Sequence, residues 1–195
     1  PGNPGWLSPA NPWYNPDVPT YDYNLDMANS LLDEMGLMDG DGDGIREMPD
    51  GSPLSYELRY GTNMVSPRNI ELLQSYLIDV GIQLTPLASD RATNDQAAVS
   101  GDYDAILVGH GAIGGDPDFM RAVFHSQSQS KSFVRPHGYA NPEFDQVAGQ
   151  QLRVLDNAKR AELVDQMQQI IATDLPVISL YHPDRFWFSD NTVLT

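Results

Sequence analysis

The sequence predicts an α/β fold, a mixed β-sheet with helices packed against it, and three observations carry that prediction. Apolar residues recur at three- and four-residue steps in segments that end on glycine or meet a capping residue. Shorter alternating or continuous apolar runs separate those segments. Strand, helix and strand then succeed one another within about 35 residues, the size of a right-handed βαβ unit.

Residues 1–23 come first, with proline at positions 1, 4, 9, 12, 16 and 19 and Trp6, Trp13, Tyr14, Tyr21 and Tyr23 between them. Proline fixes φ and removes donors, so this stretch is extended and irregular. Its aromatics predict that it packs onto the rest of the fold, because a loose linker is richer in Gly and Ser. NLDMANSLLDEMGL predicts a helix with Leu25, Ala28, Leu31, Leu32 and Met35 on one stripe and Gly36 as its stop. PLSYELRY alternates Leu54, Tyr56, Leu58 and Tyr60 on one strand face. Ser66-Pro67 opens a helix whose buried stripe is Ile70, Leu73, Leu77 and Val80, and Gly81 closes it. IQLTPLA is the second strand, 91–100 a short helix, and YDAILVG a compact apolar run of the kind found in fully buried parallel strands. Helices over 141–155 and from about Asn157 follow, and LPVISLYHP and RFWFS end the chain as extended segments.

The 195 residues suffice for one domain with a full core, and the expected organisation is a single domain over 1–195 with 1–23 packed on it. Eleven Lys and Arg face 27 Asp and Glu, a formal net charge of −16. That field repels phosphate backbones and excludes nucleic acid as a natural partner. Cysteine is absent, which removes disulfides, thiolate catalysis and zinc–thiolate sites. No run approaches the roughly 18 apolar residues of a membrane span. The first residues have neither the basic nor the apolar region of a signal peptide.

The most specific local signal is the acidic glycine loop. Hard cations such as Ca²⁺ take about six to eight oxygens. Asp39, Asp41 and Asp43 fall at loop positions one, three and five, Gly44 at six, the Ile45 carbonyl at seven, Glu47 at nine and Asp50 at twelve. An EF-hand has a bidentate Glu at twelve and an exiting helix, whereas Asp50-Gly51 here leads into a strand. The loop therefore reads either as a structural Ca²⁺ site or as a solvated acidic turn.

Catalysis is not expected. GxSxG, HExxH and Walker patterns are absent, and His110, His125, His137 and His182 lack the i, i+4 partner of a helical metal pair. The loop GHGAIGGDPDFM after the third strand is instead a ligand candidate. In α/β sheets, ligands bind beyond the carboxyl ends of strands, and its glycines permit close backbone approach. Asp116 and Pro117 also suit the start of a helix.

Taken in order, YNPDVPTYDYNLDMANSLLDEMG, DGDGDGIRE–PDGSPLSYEL, SPRNIELLQSYLIDVGIQL, GDYDAILVGHGAIGGDPDFM, GYANPEFDQV and KRAELVDQMQQIIATDLPVISLYHPDRFWF resemble the C-terminal half of the family 5 extracellular solute-binding proteins, the peptide, dipeptide and nickel binding group. The resemblance implies the distal lobe of a two-lobed, type II periplasmic-binding-protein-like fold that clamps a peptide or similar small solute. It implies further an extracytoplasmic, lipid-anchored protein that serves the permease subunits of an ABC importer, and a larger N-terminal lobe outside this chain. In the peptide-binding members, an Asp four residues before the proline of the Asp-Pro step pairs with the peptide's α-ammonium. Here that position is Ile113, and the aromatic position after the strand is His110. Either Asp116 or Asp118 takes over, or the ligand is not a peptide with a free amino end. Tyr60, Asn63 and Tyr139 are further candidates by position, with ordinary rim packing as the other reading of the tyrosines. A different-class alternative is a stand-alone Ca²⁺-stabilised interaction or sensor domain with the same lobe fold.

Overall fold

The strand–helix–strand pattern becomes a three-stranded parallel sheet in the computed structural model, which describes residues 2–62, 67–110, 115–132 and 134–183. Strand β1 (Ser55–Gly61) is central. It pairs with β2 (Gln83–Ser89) from Ser55↔Gln83 to Gly61↔Ser89, and with β3 (Ala105–Leu107) from Leu58↔Ala105 to Tyr60↔Leu107. Pro86 has no N–H to donate, and it sits on β2, an edge strand of this sheet, where that loss is tolerated. Antiparallel pairing is confined, among the described residues, to the isolated bridges Met38↔Glu47 and Glu47↔Pro53.

The chain divides into two compact units, one comprising the described residues within 21–113 and 122–138, the other those within 1–20, 114–121 and 139–195. In the sheet unit, the alternation read along β1 holds. Leu58 is buried with Ile70 and Leu84, while Tyr56, Tyr60, Leu73, Leu77, Ala105 and Leu107 pack against them. Helix α2 (Pro67–Ile78) thus lays its predicted stripe on this face, and Val80 beyond it is also buried. Ser66, expected to cap α2, lies outside the described residues. The chain next crosses from β2 to the far side of β1. Right-handed crossovers in opposite directions place their helices on opposite faces of a sheet, so α3 (Arg91–Ser100) covers the other one. Asp90 caps α3 by accepting from the Thr93 N–H, and Gly101 ends it in the left-handed conformation at φ 78°. A Cβ on Gly101 would lie 2.7 Å from His137 Nδ1. The His137 ring bonds the Ala98 carbonyl through Nε2 at 2.9 Å and meets Tyr103 edge-on.

Three expectations change. Helix α1 (Leu25–Glu34) has no buried residue, and Leu31 and Met35 of its predicted stripe are 52% and 68% exposed. Periodicity reports that a face is apolar, not that a partner covers it. Strand β3 is half-buried throughout, because it is three residues long and pairs with β1 alone. Helix α5 (Pro142–Gln151) stops four residues short of 155, and Leu155 is 99% exposed. The chain turns there so that Asp156 can cap α6 (Asn157–Asp174) by accepting from the Lys159 N–H. Residues 175–183 form no strand, although Leu180 accepts from the Gly2 N–H at 3.0 Å. RFWFS lies outside the described residues. No helix among the described residues is long and apolar enough to cross a membrane.

In the helical unit, α5 and α6 pack through Phe144, Val147, Ala148 and Gln151 on one helix and Val164, Met167, Gln168, Ile171 and Ala172 on the other. In the proline-rich N-terminal segment Trp6, Leu7 and Val18 are buried, whereas Tyr21 and Tyr23 are exposed. Gln168, fully buried, fixes it from α6. Its Oε1 accepts from the Asn15 N–H at 3.0 Å, and its Nε2 donates to the Trp13 carbonyl at 2.7 Å. A segment without ladder bonds needs such side-chain partners for its backbone. Gln168→Leu preserves the bulk but orphans both backbone groups, and is expected to lower stability by about 1–3 kcal/mol in a denaturant melt.

Candidate functional site

Because β1 lies between β2 and β3, the crevice between the carboxyl ends of β1 and β3 is the topological switch point of the sheet, where α/β proteins receive ligands. Tyr60 reaches this end of β1 opposite Leu107, and His110 stands three residues beyond Leu107. Both are half-buried, and Tyr60 also packs against the Leu58–Ile70–Leu84 core. Asn63 and Ile113 lie outside the described residues. Asn94, which the sequence did not single out, underpins the crevice: it is buried on α3 and donates to the Leu107 carbonyl at 3.0 Å. Its Oδ1 has no hydrogen-bond partner. An Asn inside a weakly amphipathic helix is the one signal the sequence offered.

Asp116 and Asp118 are not free acceptors. Asp116 accepts from the Asp118 N–H at 3.1 Å, the helix-start role expected of it, and from Arg160 Nη2 at 2.8 Å. Asp118 begins α4 (Asp118–Phe124) and is gripped by Arg121 through Nε at 2.6 Å and Nη2 at 2.9 Å. Gln151 donates to the same carboxylate at 2.9 Å and accepts from Arg160 Nε at 2.9 Å. The hydrogen bond from Arg121, followed by its charge, holds the Asp118 carboxyl below the usual range against the opposing effect of burial. Tyr139 is likewise engaged: its hydroxyl donates to Asp174 at 2.7 Å, beside a second bond to Asp174 from the α5 cap Asn141. Burial first, and then the Asp174 carboxylate, push the Tyr139 phenol well up.

The acidic loop gathers Asp39, Asp41, Asp43 and Glu47, whose carboxylate oxygens lie within 4.8 Å of one another. Each also accepts a local amide: Gly42 and Gly44 donate to Asp39, Asp43 to Asp41, Ile45 to Asp43 and Gly40 to Glu47. One amide per oxygen leaves a further lone pair, so the four carboxylates retain capacity for a hard cation. Asp50 is not in this group. It accepts from Ser52 Oγ at 2.6 Å and Ser52 N–H at 3.0 Å, which lower its pKa and close the turn into β1.

Tyr60, His110 and the Asn94-supported Leu107 thus stand at the carboxyl edge of a parallel sheet, the edge at which α/β proteins receive ligands. The chain belongs to the bacterial extracellular solute-binding proteins of family 5, whose middle region matches residues 1–132. It is 31% identical over 172 residues to the oligopeptide-binding protein AppA of Bacillus subtilis, covering 87% of this chain and 31% of that protein. The AppA structure from Bacillus subtilis with a nonapeptide superposes with a TM-score of 0.80 at 28% identity, over 90% of this chain and 35% of that one. A mannohexaose-bound periplasmic oligopeptide-binding protein from Thermotoga maritima gives a TM-score of 0.78 at 26% identity, over 91% and 35% respectively. The α/β fold is thus shared with periplasmic peptide-binding proteins of type II, and the chain spans about a third of the length of the relatives it matches.

The lowered Asp118 pKa sets a pH dependence. A carboxylate with a depressed folded pKa contributes stability that is fully present above its unfolded value, about 4, and lost as pH falls through the folded value. The gap in melting temperature between wild type and Asp118→Asn is therefore expected to be widest near neutral pH and to close in the acid range below about pH 4.

Proposed function

We propose that this chain is the distal lobe of a longer solute-binding protein that captures a peptide or similar small solute outside the membrane and delivers it to ABC importer permease subunits. The observation that carries this reading is the family match over residues 1–132. Two lobes would close on the ligand about a hinge, and the residues assigned to this lobe's share of the site are those of the loop after β3, with His110 and Ile113, together with Tyr60 and Asn63. The companion lobe and a lipid anchor belong to the whole protein in this reading.

The ligand is read as one not held by a carboxylate–ammonium pair at this loop. Ile113 is aliphatic, and Asp116 and Asp118 are both occupied by arginines. That engagement also favours a second reading, a neutral polar solute, and the Thermotoga maritima relative holds mannohexaose. Mass spectrometry of solute co-purified with the full-length protein, followed by calorimetry against peptide and oligosaccharide panels, decides between them. Peptide binding insensitive to N-acetylation is the expected result, and binding of oligosaccharides alone would replace the peptide assignment.

We further propose that Asp39, Asp41, Asp43 and Glu47 take a structural Ca²⁺, with the Ile45 carbonyl as an added ligand and Asp50 shaping the turn. An ion bound only by the native state stabilises it by about 2.7 kcal/mol at a hundred times its Kd. The melting temperature is therefore expected to rise in saturating Ca²⁺, and less so for Asp41→Asn. Identical melts in Ca²⁺ and chelator would exclude the ion.

A further inference from the structure

We propose that Trp13 and Arg160 are positioning residues for the loop after β3, holding its exit at two successive residues, and that Arg160 also sets specificity by cancelling the charge of Asp116. The inference rests on the reading that this loop meets the ligand. The Trp13 indole N–H donates to the Gly115 carbonyl at 2.7 Å. The next residue, Asp116, is held by Arg160 Nη2 at 2.8 Å. The two anchors are coupled, because the Arg160 guanidinium lies 5.6 Å over the Trp13 ring. Bonds from two separate parts of the chain thus hold the Gly115 carbonyl and the side chain of the next residue.

Each anchor has its own support. The Trp13 carbonyl is held by buried Gln168 at 2.7 Å, and its N–H donates to Asn11 Oδ1 at 2.9 Å. Arg160 Nε donates to Gln151 Oε1, and Gln151 is fully buried with its amide committed to Asp118. Arg160 cannot swing into solvent without orphaning the Gln151 oxygen, which carries a desolvation cost. The exit of the loop is thereby fixed before a ligand arrives, and preorganisation lowers the ordering cost of binding.

The charge consequence is separate. Asp116 is 71% exposed, so without Arg160 it would offer a bare carboxylate beside the loop. Paired as it is, it gives little advantage to a ligand that brings an ammonium group.

Two measurements on the full-length protein test this. Indole proton exchange by ¹⁵N NMR, assigned with Trp13→Phe, is expected to be at least about tenfold slower at Trp13 than in free indole, and to lose most of that protection in Arg160→Gln. Calorimetry with trialanine and N-acetyl-trialanine is expected to give similar affinities for wild type. In Arg160→Gln the ratio should shift by about tenfold toward the free amine, and adding Asp116→Asn should remove the shift. Arg160→Lys keeps the charge and should keep the wild-type ratio, which a purely structural role would not predict. Unprotected Trp13 exchange in wild type overturns the positioning role, and an unchanged ratio in Arg160→Gln overturns the specificity role. If wild type binds neither peptide, the peptide reading falls, and indole exchange alone decides the clamp.

Discussion

The guanidinium of Arg46 is the point on which the sheet unit depends. Its side chain is 11% exposed and donates to Asp33 and Asn29 on α1, to the Leu37 carbonyl after α1, and to the Val80 carbonyl after α2. Its backbone N–H meets the Gly81 carbonyl at 2.8 Å. A Cβ on Gly81 would lie 2.7 Å from Arg46 Cγ, and Gly81 has φ 78°, so glycine is required there on both counts. Helix α1 buries none of its residues, so this guanidinium, with buried Leu37 just beyond the helix, supplies the attachment that packing does not. Eight acidic residues precede Arg46 with no Lys or Arg among them. The first cation of the chain is thus placed where two helix ends present carbonyls, the terminus at which a positive charge is favoured.

That arrangement shows what the sequence could and could not convey. Helices α2 and α6, strands β1 and β2 and their parallel order were legible because periodicity, caps and the size of a βαβ unit are local properties. The capping role of Asn141 and the place of Asp116 just before a helix were legible for the same reason. The Arg46 junction was not, because its partners are spread from Asn29 to Gly81 and no pattern in the chain marks them as neighbours. Exposure of the α1 stripe was illegible on similar grounds: an apolar face is written in the sequence, but its cover is not. Among the histidines, His137 meets the Ala98 carbonyl, His125 accepts the Gln127 N–H and His182 accepts the Asn3 N–H.

The site divides along the same line. The four clustered carboxylates of the acidic loop come from nine consecutive residues, so their grouping could be read from spacing alone. Tyr60 and His110 were singled out by their place at strand ends and by the family resemblance, and the pairing of β1 with β3 sets Tyr60 opposite Leu107. The Asp118–Arg121 pair is local, but the engagement of Asp118 by Gln151 and of Asp116 by Arg160 could not be read, because these partners lie more than thirty residues away on α5 and α6 respectively.

This engagement bears on how, in the proposed function, a strongly acidic chain would select a ligand. A net charge of −16 attracts cations at long range and does so less as salt rises. Long-range attraction governs encounter, whereas retention depends on what a ligand meets at contact. The chain has few basic residues, and Arg46, Arg59, Arg121 and Arg160 are each largely withdrawn from solvent beside a carboxylate. The excess acid is left facing water, while the acids nearest the β3 loop are neutralised by internal partners. A cationic solute would therefore be drawn toward the surface without finding an unpaired carboxylate among Asp116 and Asp118. In the proposed function, discrimination at that rim would then rest on hydrogen bonding and shape, which depend on how firmly Gly115 and Asp116 are held.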